Sequence, residues 1–269
     1  MASAALAVCA VLHAASLSSD DLFSPEWRGK IVTVEGVVHS ADPLPGGSMA
    51  LAVYRTVSAF TVVVSDAGGL RPVDLEDALV LVKGTLEMRL GPDGVPIGVQ
   101  ISAPNAAYVS VLSAPPKDPY ALPLADVSRM RLQADDARRH RIHVKGVVTF
   151  SRDIDTSFML HLDEGRNVSV VPTDEKTALP KVGDIVEVCA FLAEVSVMPR
   201  LDDAIFRVVG HDPAAVPAPR RLRVSEVVAL PYESDATAES LYAQTVETEG
   251  IVREVNSSGV VHGQEGWKY

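Results

Sequence analysis

The residues of this chain whose types suit chemistry are few and scattered. It has seven histidines. His140 and His143 stand three apart, a spacing that brings two imidazoles to one metal only on a helix. They lie in Arg141-Ile142-His143-Val144-Lys145, which alternates like a strand, where positions i and i+3 face opposite sides. Both are expected to face solvent. His161 and Asp163 share one face of another strand-like run and are placed to hydrogen-bond, which a polar outer face explains equally well. Asp153-Ile154-Asp155 opens like a calcium loop, but the glycine and distal glutamate such a loop needs do not follow. The acidic pairs Asp20-Asp21, Asp135-Asp136 and Asp202-Asp203 fit turn and capping positions better than acid–base work. Gly46-Gly47 has no Lys-Ser or Lys-Thr after it to cradle phosphate. No serine occupies a G-x-S-x-G elbow. Asn167-Val168-Ser169 and Asn256-Ser257-Ser258 are formal glycosylation sequons of a kind that arises easily by chance. The reading is therefore no catalytic, cofactor-binding or metal-ligating set, and no enzyme.

Charge narrows the partners. Over 269 residues the formal net charge is −11, and aromatic residues make up only 5%. Phosphate contacts need Lys and Arg, and single-strand binding needs stacking aromatics, so no nucleic-acid partner is expected. The best basic runs are Arg138-Arg139-His140-Arg141 and Arg220-Arg221-Leu222-Arg223, both just before strands, where solvated linker edges account for them. Of the two cysteines, Cys189 sits in the apolar run Ile185–Ala190 and reads as a small buried side chain.

The elements that position these residues are repeated. Lys30-Ile31-Val32-Thr33-Val34-Glu35-Gly36-Val37-Val38 is echoed by His140-Arg141-Ile142-His143-Val144-Lys145-Gly146-Val147-Val148. Gln244-Thr245-Val246-Glu247-Thr248-Glu249-Gly250-Ile251-Val252 echoes both. The glycines are 110 and 104 residues apart, a period that suits a whole small domain and not a solenoid. Each segment alternates apolar and polar residues up to the glycine, then turns doubly apolar. That pattern is a half-buried strand cornering at Gly, as a small barrel requires.

Further strands are expected at Ser157–Asp163, Val168–Val171, Val182–Val188 and Ala204–Val209. In the first copy they are matched by Ala59–Ser65, Ala78–Gly84 and Ala107–Leu112. The expected fold class is all-β, tandem OB-like five-stranded barrels with short connecting helices; a generic β-sandwich is the alternative. Pro-rich links follow each fifth strand. The organisation reads as module one over 20–114, a linker over 115–123, module two over 124–212, a linker over 213–223, and the truncated start of module three over 224–269. Helical stretches are expected near Leu124–Met130 and Val224–Leu230. Met1–Ser19 is apolar and Ala-rich, and an export signal and an ordinary N-terminal helix both fit it. No later stretch approaches the roughly 18 apolar residues of a membrane span.

Gly146-Val147-Val148-Thr149, then Phe158 to Gly165, Gly183-Asp184-Ile185-Val186-Glu187-Val188, and Phe206 to Gly210 together resemble the tandem extracytoplasmic domains N-terminal in certain bacterial sensor histidine kinases. The first module departs from the pattern: His39 replaces Thr149, and Asp66-Ala67-Gly68-Gly69 matches the acidic turn only loosely. The resemblance implies a non-catalytic sensory or interaction module outside the cytoplasm, in the periplasm of such bacteria, with the cytoplasm as the alternative. The membrane would be reached only through segments absent from this chain. No phosphoacceptor-His helix or Asp-x-Gly-x-Gly nucleotide loop is present, so kinase activity is not assigned.

By OB analogy a ligand would sit on strands two and three, which in module two points to Phe158, His161 and Arg166. A small ligand or a protein is the expected partner. A nucleic-acid-binding OB protein and a structural spacer are the alternatives.

Overall fold

The computed structural model describes residues 22–55, 58–92, 94, 96–127, 140–152, 156–162, 165–174, 176–193, 200–228, 244–255 and 261–264. Two compact units divide between Lys117 and Asp118. The first holds β1 (Ile31–Leu44), β2 (Ser48–Arg55), β3 (Ser58–Asp66), β4 (Leu79–Leu90), β5 (Pro96–Asn105) and β6 (Val109–Ser113). The second holds β7 (Ile142–Arg152), β8 (Ser157–Leu162), β9 (Asn167–Pro172), β10 (Asp184–Leu192) and β11 (Arg200–His211).

Both units are closed five-stranded barrels. In the first, β1-β2-β3-β5-β4 forms a ring that closes through β1–β4, with β6 added on β4. In the second, β7-β8-β9-β11-β10 closes through β10–β7. Strands three and five run parallel in each, and the other pairings that close the rings are antiparallel. Closure removes the free edges that an open sheet of these Val-rich strands would expose. The alternation places Val34, Leu51, Val62 and Ile101 in one apolar core, and Val144, Leu160, Val170 and Val188 in the other. The fold class expected from the repeat is the one observed.

The repeated glycine sits where strand one changes partner. β1 pairs with β4 up to Val37 and with β2 from Val37 onward; β7 switches from β10 to β8 at Gly146–Val147. A Cβ at Gly36 would lie 2.6 Å from Val53 Cγ1 and 2.8 Å from the Tyr54 carbonyl oxygen, and one at Gly146 would run into the His161 carbonyl oxygen. The requirement is close backbone approach at the corner. Three residues on, each strand bulges, at His39 in β1 and at Thr149 in β7.

Three expectations change. Strand two of the first barrel is Ser48–Arg55, so Ala59–Ser65 belongs to strand three and not to the counterpart of Ser157–Asp163. Ala50 and Ala52 fill the outward positions of β2, and their methyls blur the polar half of its alternation. The fifth strand, expected at Ala107–Leu112, is instead divided between β5 and β6. Pro104 cannot donate to a ladder, and the Asn105 side chain accepts from the Ala107 amide to cap a 3-10 turn at Ala106–Tyr108. In the second barrel β11 covers the same span unbroken. Third, the run Gln244–Val252 that echoes strand one is not a single strand: its Val246–Glu247 forms β13, which pairs in parallel with β12 (Arg220–Arg221) of the preceding link, and β14 (Ile251–Val255) forms a hairpin with β15 (Val261–Gln264).

The connections are repeated too. Asp118 and Asp212 each cap a 3-10 turn, Pro119–Ala121 and Pro213–Ala215, by accepting from the amides of Tyr120 and Ala214. Short helices lie at α1 (Pro72–Leu75) and α2 (Val224–Val228). Of the helix expected near Leu124–Met130, residues 128–130 lie outside the described residues, as does the Met1–Ser19 segment.

Candidate functional site

In the second unit, the turn between β8 and β9 is tightened by Gly165 in the left-handed region (φ +82°) and by the Leu162 amide donating to the Arg166 carbonyl at 2.7 Å. This turn sets His161 opposite Asn167, its cross-strand partner. His161 Nδ1 and Asn167 Oδ1 are 2.8 Å apart, so the ring donates through Nδ1–H and Nε2 is left as its acceptor. Thr149, at the bulge of the neighbouring β7, donates its hydroxyl to the Met159 carbonyl at 3.4 Å. After β11 the chain returns over this end of the barrel. The Arg220 amide donates to the Thr245 carbonyl at 3.1 Å, which fixes Arg220 beside Gln244 and Thr245.

Between these pieces lies a cavity of about 180 Å³, lined by Thr149, His161, Gly165, Asn167, Pro217, Ala218, Arg220, Gln244 and Thr245. Among the described residues, one cation and no carboxylate line it.

Of the three residues expected to bind a ligand, only His161 lines this cavity. Phe158 is 1% exposed and packs into the barrel core, edge to face with Phe206 at 5.2 Å between centroids. It faces inward while His161 faces outward, as their spacing along a strand requires. Arg166 is half-buried in the turn and is not among the lining residues. Asp163, expected beside His161, lies outside the described residues. Thr149, Asn167, Gln244 and Thr245 were missed as site residues, and Arg220 was placed in a solvated linker. The available signals were that Thr149 follows the repeat glycine at a fixed distance, and that Gln244 and Thr245 open the third repeat.

The first barrel treats the same place differently. Tyr54 pairs with Val37 as His161 pairs with Val147. His39 takes the bulge position of Thr149. The two rings stack at 3.8 Å and 12°, with His39 6% exposed.

A second cluster lies on β7 and β10. His143 was expected to face solvent, but it is 6% exposed. The linker before β7 covers it: His143 Nδ1 lies 2.8 Å from the Leu122 carbonyl oxygen, to which it donates, Tyr120 meets the ring edge-on, and Leu124 bridges to the His143 backbone. Cys189 is its cross-strand neighbour and is fully buried. Burial pushes that thiol up to about 12, so it is not a thiolate and not a nucleophile. Arg207 stacks over Tyr120 at 4.2 Å and donates to Glu187 at 2.8 Å. These contacts hold the linker down and leave no reactive group exposed.

One arginine of each basic run has a structural role. Arg141 is buried, donates to the Asp203 carbonyl at 3.1 Å and lies over Phe191. Arg221 is paired with Glu247 at 2.9 Å. Arg138 and Arg139 lie outside the described residues. Among the described residues no group of three potential metal ligands converges, and no helix is long and apolar enough to cross a membrane.

No protein-family model and no curated protein matches the sequence. Among solved structures, the aspartyl-tRNA synthetase from Entamoeba histolytica is similar at 14% identity over 45% of this chain, with a TM-score of 0.32. This chain spans about a quarter (26%) of that enzyme's length. The Ifi202 HINa domain in complex with 20bp dsDNA is similar at 15% identity over 69% of this chain and 97% of that one, TM-score 0.27. OBody AM3L09, bound to hen egg-white lysozyme, matches at 18% identity over 36% and 94%, TM-score 0.27. At this distance no role passes from them to this chain.

Proposed function

We propose that this chain is a non-catalytic binding module whose second barrel takes a small polar ligand in the His161 cavity. The observation that carries this reading is the cavity itself, lined mainly by hydrogen-bonding side chains and set at the end of strands two and three, where OB barrels receive ligands. Its role as the extracytoplasmic sensory part of a signal-transduction protein rests on the sequence resemblance. Several features weigh against a nucleic-acid partner. Strands β8 and β9 turn Met159, His161, Asn167 and Val171 outward, a set without Lys, Arg or a large aromatic platform. The chain as a whole carries −11.

The test is a thermal-shift screen of the whole chain against small polar solutes, run beside T149H/H161Y. That double substitution copies the His39–Tyr54 stack of the first barrel and fills the cavity with a pair the fold already accommodates. The reading expects solutes that raise the melting temperature of the parent and not of T149H/H161Y. Equal shifts in both, or salt-sensitive capture of oligonucleotide with no solute response, would overturn it.

A further inference from the structure

Building on the cavity as a binding site, we infer that its ligand is a small hydroxy-monocarboxylate. The charge on the walls sets the first term. Among the described residues that line it, Arg220 is the single cation and none is Asp or Glu. A guanidinium with no carboxylate beside it calls for an anion, and its planar fork matches a carboxylate. The Asn167 amide, whose oxygen accepts from His161, adds N–H donors on the same walls.

The second term is an acceptor. His161 commits Nδ1–H to Asn167 Oδ1 at 2.8 Å, which leaves Nε2 as the ring's acceptor. A carboxylate alone brings no donor to it; a ligand hydroxyl does. The Thr149 hydroxyl, its proton given to the Met159 carbonyl, accepts, and the Thr245 hydroxyl accepts or donates as the ligand requires.

Size and overall charge supply the remaining limits. At about 180 Å³ the cavity falls below the ~300–1,000 Å³ of sites for drug-sized molecules and is several times the ~30 Å³ share of one water. One cation neutralises one charge, and a chain at −11 repels polyanions. Arg220, Gln244 and Thr245 come from the third repeat and the link before it, whereas Thr149, His161 and Asn167 come from the second barrel. A ligand spanning both walls therefore ties the start of the third repeat to the barrel.

Titration calorimetry of the whole chain at fixed ionic strength tests this. The probes are glycolate, lactate, glycerate and gluconate, with propionate, glycerol and inorganic phosphate as the chemical controls. At least one hydroxycarboxylate is expected to bind, more tightly than propionate or glycerol. R220A should weaken it about tenfold or more, the loss expected of a charged hydrogen bond, and R221A, whose guanidinium is held by Glu247 outside the cavity, should not. Phosphate binding as tightly as the best hydroxycarboxylate, or affinity unchanged by R220A, would overturn the assignment. If glycerol binds as well as glycerate and T149H/H161Y abolishes it, the anion inference fails while the binding site stands. If no solute in the panel binds the parent chain, the inference fails, and the wider solute screen decides the binding site separately.

Discussion

At the bulge that follows the repeat glycine, the first barrel carries His39 and the second Thr149; across from them stand Tyr54 and His161. Two large rings in the first barrel stack and close the surface. In the second, a short hydroxyl side chain and one ring leave room, and the returning chain roofs it to make a cavity. The backbone device is shared, and two side chains decide whether it is wall or site. The third partner differs in the same sense: Tyr54's neighbour on strand three is Ala59, while His161's is Asn167, which orients the imidazole. Site and fold are thus separable in this molecule, and residues can be exchanged between the barrels.

The largest effect should come from the core that both barrels need. Phe158→Ala, at the inward position that Leu51 holds in the first barrel, should cost about 3–5 kcal/mol. In urea melts it should unfold the second barrel's transition well before the first's. If ligand binding fell while stability did not, Phe158 would be a contact residue and the inward assignment wrong.

Next come the corner glycines. Gly146→Ala drives a methyl into the His161 carbonyl oxygen, and Gly36→Ala meets a Val53 methyl before the Tyr54 backbone. Both should destabilise, Gly146→Ala by about 3 kcal/mol and Gly36→Ala by less, because a side chain yields where backbone does not. Equal, small losses in denaturant midpoints would mean that the two corners are looser than the register implies.

A smaller difference lies at the entrance to strand four. There Gly183 (φ +89°) donates its amide to Val148, and Asp77 (φ +70°) donates to Val38 in the same way. Gly183→Ala should cost about 1–2 kcal/mol, the penalty of a left-handed L-residue.

The smallest effect is electrostatic. Asp184 is held below its usual range, first by the Lys181 amide and then by His211. A carboxyl depressed in the folded state stabilises above its unfolded value of ~3.9 and loses that contribution as pH falls through the folded one. The second barrel should lose stability below about pH 4 more steeply than the D184N variant does, while the first, with Ala78 at that position, should be unaffected by the substitution. Identical acid melts of the parent and D184N would remove this distinction.

How much of this was legible beforehand follows from range. Alternation and the repeated Gly36 and Gly146 are local signals, and they located strand one and the barrel corner. β2 escaped because Ala50 and Ala52 make its outward face apolar as well. His143 was misread because the residues that bury it, Tyr120, Leu122 and Leu124, belong to a linker about twenty residues away whose docking no period announces. His161 was placed in the site by fold analogy, but Thr149, Arg220 and Gln244 meet it only through closure of the barrel and the β12–β13 pairing. Phe158 carried the same analogy into the core, since strand position alone does not say which face binds.

The central claim is that the two barrels share a fold while only the second presents a site at this place. Imidazole NMR tests it most directly. The His161 and His39 ring signals, assigned through H161A and H39A, are followed while the best hydroxycarboxylate is titrated into the whole chain. His161 should move saturably, with His39 unmoved under its Tyr54 stack. Movement of both rings alike, or of His39 alone, would contradict it.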